Sequence, residues 1–405
     1  MHRRRFLKTG GGAGLGLALG ACSYRAAGLG APWVRPANLV PVQVSWDRII
    51  RTTVALRPFR QSGFVLRSER FDDKTVIHNY GHGGSGMSLS WGTAHLAADL
   101  AVHHPERRAA VIGCGIVGLT SARVLQRRGF QVAIYAKVLP PDTTSNKLFG
   151  GFTPNSTLVT QRTTRWDKQF RRAVEIAYRE HNLLAGRGYG VRWIDGYSQM
   201  DNPEGAGTQG RTGGDGRVAE DPLMPRSFSV DRDLLEPGQH PFRMRYARRA
   251  PRLQFDPDIY LDALMRDVLT FGGSISAREF DSPRDFMSLP EPLIVNCTGL
   301  GAKKLFDDHE LTPVKGQLTV LVPQPDVNYS FGGMLPRGSG IVFGHVMQHG
   351  VSSLDVDEGE QTRIMESAIR AFGGMRPPDP RSALTAFRPP PDLLPPVESF
   401  FGLAS

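Results

Sequence analysis

The chain has 405 residues, 40% hydrophobic and 22% charged, with a formal net charge of +10 at pH 7. That length buries a sizeable core in one or two domains, and the composition excludes an intrinsically disordered chain. No run of about 20 continuous apolar residues occurs, so no ordinary membrane-spanning helix is expected. The basic residues are 8 Lys and 41 Arg, scattered over every segment. Such scatter reads as a compositional bias and not as a clustered nucleic-acid patch. Of the three cysteines, Cys114 and Cys297 stand in apolar, strand-like settings and read as small buried thiols.

In chain order, residues 1–22 come first, with Arg3, Arg4 and Arg5, a short Gly/Ala/Leu run, then Leu19-Gly20-Ala21-Cys22. This stretch resembles a twin-arginine export signal with a lipobox, its lipid going to Cys22. It implies a periplasmic protein or a membrane-anchored lipoprotein. Residues 23–45 read as a linker, with a short strand at 42–45. Strands are expected at 52–56 and 64–67. A glycine-rich run, "VIHNYGHGGSGMSLSWG", fills 76–92, and a helix is expected from near Gly92. Residues 108–136 carry a strand, a helix and a second strand over Gln131 to Ala136.

A long helical pattern fills 162–186, and 201–240 reads as a loop. The segment "FDPDIYLDALMRDVLTFGG" reads as a helix capped by Asp256, with Pro257 in its first turn and Gly272 at its stop. Strands follow at 274–280, 293–300, 315–322 and 340–347, then a helix over 358–372 and a proline-rich tail over 381–405.

Gly113, Gly115 and Gly118 stand at the G-x-G-x-x-G spacing between the first strand and the helix. Glycine is needed there for a tight turn, for backbone approach to a pyrophosphate, and for close packing of helix on strand. The helix N-terminus then offers free N–H groups to phosphate. The acidic residue that usually holds ribose hydroxyls after the second strand is missing, since Lys137 and Val138 stand there. Lys137 reads either as a phosphate or adenine contact or as a solvent-exposed lysine.

Several segments together resemble the D-amino-acid oxidase family of FAD flavoproteins. "VIGCGIVGLTSARVL" (111–125) looks like its FAD motif, "LPPDTTSNKLFGGF" (139–152) like its stretch along the flavin, and "LIVNCTGLGAKKL" (293–305) like a later strand and turn. "TPVKGQLTVL" (312–321) is similar to its G-R-G-Q strand. "VIHNYGHGGSGMSLSWG" is close to its H-N-Y-G-H-G-G-x-G motif, and "VALRPFR" (54–60) resembles the strand leading into it. The last two lie near the C-terminus in the family and here precede the FAD motif. The chain thus looks like a circular permutant, joined at 101–110.

The resemblance implies FAD as cofactor and an α/β plus α+β fold, with a Rossmann-like FAD-binding domain and an antiparallel-sheet substrate domain in permuted order. It divides the chain into a displaced segment (46–104), an FAD-binding β-α-β unit (105–160), a mixed, mainly substrate region (161–290), a return to the FAD domain (291–312), a substrate region (313–380) and the tail (381–405).

It implies that Gly113, Gly115, Ile116, Val117, Gly118, Lys137, Thr143, Thr144, Ser145 and Gly150 hold the cofactor. Gly83, Gly84, Ser85, Gly86, Met87 and Ser88 would grip the flavin ring with backbone donors. Arg57 matches the arginine that pairs with the substrate carboxylate. Arg388, in "AFRPPP", offers a similar sequence. Tyr329 fits one pocket tyrosine or is a plain core aromatic, and Gly333 occupies the place of a second.

No metal site is expected. The implied activity is oxidative deamination of D-amino acids or related small amino acids, by hydride transfer to the flavin. The partners are that substrate and oxygen or another electron acceptor, with no nucleic acid. Two alternatives stay open: a lipid-anchored dehydrogenase serving a membrane acceptor, and an inactive flavin-binding protein.

Overall fold

The computed structural model describes residues 34–376, apart from 148, 204–220, 222, 226–227, 229–231 and 345. The signal-like segment with Cys22, much of the 201–240 loop, and the tail with Arg388 lie outside the described residues. All the regular structure described belongs to one packed unit that begins at Pro36.

In chain order the elements are β1 (Ile49–Phe59), β2 (Val65–Phe71), β3 (Lys74–Tyr80), α1 (Gly86–Ala101), β4 (Arg108–Ile112), α2 (Ile116–Arg127), β5 (Gln131–Ala136), α3 (Thr164–Leu184) and β6 (Val191–Met200). Then come β7 (Asp233–Leu235), β8 (Tyr246–Phe255), α4 (Pro257–Thr270), β9 (Ser274–Ala277), β10 (Leu293–Asn296), α5 (Ala302–Leu305), β11 (Thr312–Leu321), β12 (Tyr329–Phe331), β13 (Met334–Arg337), β14 (Gly340–Gly344), β15 (Gln348–His349) and α6 (Glu358–Gly373).

Two sheets divide these strands. The first runs β2-β3-β10-β4-β5-β9 and is parallel except for the β2–β3 hairpin. All four residues of β10 and four of the five in β4 are buried. That is why these strands read as continuous apolar runs rather than as alternating ones. Helices α1 and α2 pack on this sheet and on each other, and α3 packs on α1. Together they enclose the main core around Leu119, Val124, Phe170 and Tyr260.

The second sheet runs β1-β11-β14-β13-β12-β6-β8-β7, with β15 also on β11. It is antiparallel except for the β12–β6 pair. The strand that leads the chain, β1, pairs along its length with β11, and β3 lies directly beside β10. The segment ahead of the glycine motif is therefore built into both sheets.

Three expectations are corrected. Helix α1 begins at Gly86, six positions before Gly92. Gly92 is instead a crossing point, where a Cβ would stand 1.9 Å from the Ala173 carbonyl of α3. Residues 42–45 form no strand. Asp256 holds the N-cap position of α4 but caps nothing, because its Oδ2 accepts the Gly338 N–H at 2.8 Å.

Candidate active site

Three glycines shape the turn between β4 and α2. Gly113 has a φ of +113°, and a Cβ there would reach the Cys297 carbonyl at 2.5 Å. A Cβ on Gly118 would lie 1.9 Å from the Gly113 carbonyl, so this helix end closes on the turn only with hydrogen at that position. Gly115 is the extended N-cap of α2, and a Cβ on it would approach Ser145 Oγ at 3.0 Å.

A helix leaves its first N–H groups without partners inside the helix. At the start of α2 these belong to Ile116, Val117 and Gly118. Ile116 N–H donates to Ser145 Oγ at 3.0 Å. The Ser145 hydroxyl keeps its own proton to donate, so serine and helix end together form a donor cluster suited to phosphate oxygens.

Residues 143–147 lie over this helix end. Thr144 and Ser145 belong to a single 3-10 turn. Thr143 donates to Asn146 Oδ1 at 2.7 Å, and Asn146 donates to Asp258 Oδ1 at 3.1 Å, which ties the loop to α4. Gly150 has a φ of +90°, and a Cβ on it would meet the Phe255 carbonyl at 2.5 Å, so it docks the loop on β8. Lys137 turns to solvent and pairs with exposed Glu279 at 2.5 Å. That geometry favours the solvent-exposed reading of Lys137 over a cofactor contact.

The second glycine cluster lies between β3 and α1. Gly83 has a φ of +58° and its N–H donates to the Pro58 carbonyl at 2.8 Å, binding the turn to the end of β1. Ser85 stands at the N-cap of α1, where its Oγ accepts the Asn155 N–H at 3.2 Å. Ser88 Oγ accepts the Thr153 N–H at 2.8 Å. Those side chains serve the 153–155 segment, which leaves the first-turn N–H groups of Gly86, Met87 and Ser88 as the donors of this end. Behind the turn, Trp91 Nε1–H donates to Tyr260 Oη at 2.6 Å, and that hydroxyl faces His181 Nδ1 at 3.2 Å. His82 is stacked on Phe64, and burial pushes its pKa down to about 3, so the ring is neutral.

Arg57 stands on β1 beside this turn. It is half-buried, and its Nη1 donates to the Val346 carbonyl at 3.1 Å. A Cβ on Gly84 would lie 3.5 Å from Arg57 Cδ and 3.8 Å from its Nε, so turn and arginine are neighbours. Burial alone lowers the Arg57 pKa, and among the described residues no charged group offsets that effect. A half-buried guanidinium without a counter-charge is suited to binding a carboxylate from outside.

Tyr329 is not brought to Arg57, which corrects its placement in the substrate pocket. It lies on β12, four strands from β1 in the sheet order, and is 1% exposed. Its hydroxyl donates to the Val40 carbonyl at 2.8 Å, and its ring packs edge-on against Tyr197. Gly333 forms a tight turn with Gly332 between β12 and β13, at φ values of +57° and +82°. Both central residues with positive φ make a hairpin turn that favours glycine, so backbone geometry explains the absence of a side chain there.

Sequence reasoning missed Gly316 and Val346 as neighbours of Arg57. No local signal marks them: the β1–β11 register brings Gly316 to the arginine, and the pairing of β14 and β15 with β11 brings Val346. Among the described residues no group of three or more His, Cys, Asp or Glu is arranged to hold a metal. No described helix is long and apolar enough to cross a membrane.

A family model described as FAD dependent oxidoreductase matches residues 108–401, and the chain belongs to that family. A D-amino-acid oxidase of Dictyostelium discoideum is 26% identical over 225 residues, or 55% of this chain and 59% of that protein. The chain thus spans less than two thirds of that relative's length. A D-amino-acid oxidase of Rubrobacter xylanophilus is 26% identical over 297 residues, or 70% of this chain and 83% of that protein. The solved glycine oxidase of Bacillus cereus ATCC 14579 superposes with a TM-score of 0.48 at 16% identity, over 66% of this chain and 80% of the other.

The family's cofactor is FAD, and the residues present fit it. Gly113, Gly115 and Gly118 leave no space for a Cβ in the turn, and the two helix starts, α2 and α1, offer donors to the two ends of such a molecule.

Proposed function

We propose that the chain oxidatively deaminates D-amino acids or related small amino acids, yielding imino and then 2-oxo acid, ammonia and hydrogen peroxide. The observation that carries this reading is Arg57, half-buried, without a counter-charge among the described residues, and set beside the Gly83–Gly84 turn at the start of α1. Its guanidinium binds the substrate carboxylate and so fixes the direction of the Cα–H bond. The N–H groups of Gly86, Met87 and Ser88 stabilise negative charge at the ring end. The Val117 and Gly118 N–H groups and the Ser145 hydroxyl, itself held by the Ile116 N–H, hold the pyrophosphate end. Bound FAD supplies the two-electron acceptor chemistry that these side chains lack.

The test is direct. Purified protein is expected to be yellow, and D-amino acids added without air are expected to bleach it. Readmitted air should then give peroxide. No bleaching by a broad panel of amino acids and amines would sink the proposal in favour of an inactive flavin-binding protein. The lipobox-like segment at residues 19–22 supports a second reading, a lipid-anchored dehydrogenase serving a membrane acceptor. Bleaching without peroxide selects it.

We also propose export by the twin-arginine route, which intact-mass measurement of the mature protein checks. A circularly permuted order is proposed with it. Its support is that the family match starts at Arg108, the first residue of β4, while β1 and β3 from ahead of that point occupy places beside β11 and β10.

A further inference from the structure

The environment of Arg57 has one feature that catalysis by itself does not require. In the β1–β11 ladder, Ala55 lies opposite Gly316 and Arg57 opposite Val314. A Cβ built on Gly316 would stand 2.6 Å from Arg57 Nη2, 2.7 Å from Cζ and 2.7 Å from Nη1. Three nearly equal distances to the three outer atoms of a planar fork put that Cβ over the face of the fork, not at its edge. The guanidinium therefore lies flat against the bare backbone of β11. Meanwhile Nη1 donates to the Val346 carbonyl at 3.1 Å, and a Cβ built on Gly84 would meet the Cδ and Nε side at 3.5 and 3.8 Å.

We propose that Gly316 is a positioning residue for substrate recognition. Its missing side chain lets the guanidinium lie flat on β11, and this sets the plane in which Arg57 offers its remaining N–H donors to a carboxylate. Bidentate pairing is planar and fails when the fork tilts. A methyl group at 316 lifts or turns the fork and spoils the pairing without touching the substrate. Gly316 has no positive φ and sits in a regular strand, so its backbone conformation does not itself demand glycine. The contact with Arg57 is the visible reason for it.

The inference rests on Arg57 being the carboxylate anchor, and the experiment separates the two ideas. Gly316→Ala, Arg57→Ala and the double variant are compared in the FAD-loaded enzyme. Four quantities are measured: KM and kcat for a D-amino acid, the dissociation constant for FAD, and the thermal midpoint. Gly316→Ala is expected to raise KM at least tenfold with kcat and FAD affinity within about twofold, and to lower the midpoint. In the Arg57→Ala background the same alanine should no longer lower the midpoint, because the group it meets is gone.

If Gly316→Ala fails to fold, recovery of folding in the double variant supports the proposal, and a double variant that is equally unfolded overturns it. Unchanged KM in Gly316→Ala, alongside a large rise in Arg57→Ala, overturns the role of Gly316 and leaves the anchor standing. Unchanged KM in Arg57→Ala overturns both.

Discussion

Arg57 holds its charge where, among the described residues, its acceptor is a backbone carbonyl, that of Val346. Truncating it removes a charge-assisted pair, and the Arg57→Ala enzyme is expected to lose about 2–5 kcal/mol in kcat/KM, mostly through KM. Steady-state kinetics with amino-acid substrates check this, and an amine lacking the carboxylate should show a much smaller change. Glu180 shows the opposite design, a charge that is fully partnered. Burial by itself would raise its pKa, but hydrogen bonds from His95 at 3.0 Å and Arg127 at 2.8 Å, with their charges, bring it down to about 2. A folded-state pKa below the ordinary 4.5 contributes stability that is complete above pH 4.5 and is lost as the pH falls towards 2. Glu180→Gln should therefore lower the thermal midpoint at neutral pH. It should also flatten the acid limb of the midpoint-against-pH curve, which calorimetry across that range would reveal.

Helix α1 depends on how closely it approaches α3. With Gly92 under the Ala173 carbonyl, Gly92→Ala forces the two helices apart and is expected to cost at least about 1–3 kcal/mol. Gly373, the last residue of α6, meets nothing within 4 Å, so Gly373→Ala should instead stabilise by about 0.5–1 kcal/mol. Paired thermal melts of the two variants test both signs. The same helices show what a sequence discloses. The unit from β4 to β5 was legible because fully buried parallel strands and a glycine turn leave strong local marks, and β5 runs over the residues its pattern marks out. Strand β3 was not read as one, because its buried His78 and Asn79 look like loop residues. They are tolerable only through Glu69, Asn296 and Ser121, which come from three other segments. Strand β8 hid behind its arginines, of which Arg249 is matched by Asp233 on β7. Arg57 was legible through its neighbourhood to the glycine run. For Tyr329 the sequence leaves pocket and core open, because its hydrogen bond to Val40 depends on where a distant, irregular segment settles.

For the whole molecule, residues 102–107, with His103 and 105–107 exposed, link α1 to β4 and are the only covalent route between the leading segment and the rest. Cutting there leaves β3 between β2 and β10, and β1 along β11. A protease site placed at 103–107 is therefore expected, once cleaved, to give two fragments that co-elute and stay yellow. Separation on a sizing column would show that the leading segment is held by the link and not by its contacts. The same topology bears on how the protein is made. His78 on β3 bonds to Asn296 on β10, 218 positions later in the chain. At roughly 5–20 residues per second of synthesis, the β2–β3 hairpin waits on the order of 10–40 s before its partner strand leaves the ribosome. Through that interval one edge of β3 stands bare, with Val76 and Ile77, which are fully buried in the finished sheet, still uncovered. The yield of this chain in cells should therefore rise when translation is fast or holdases are abundant.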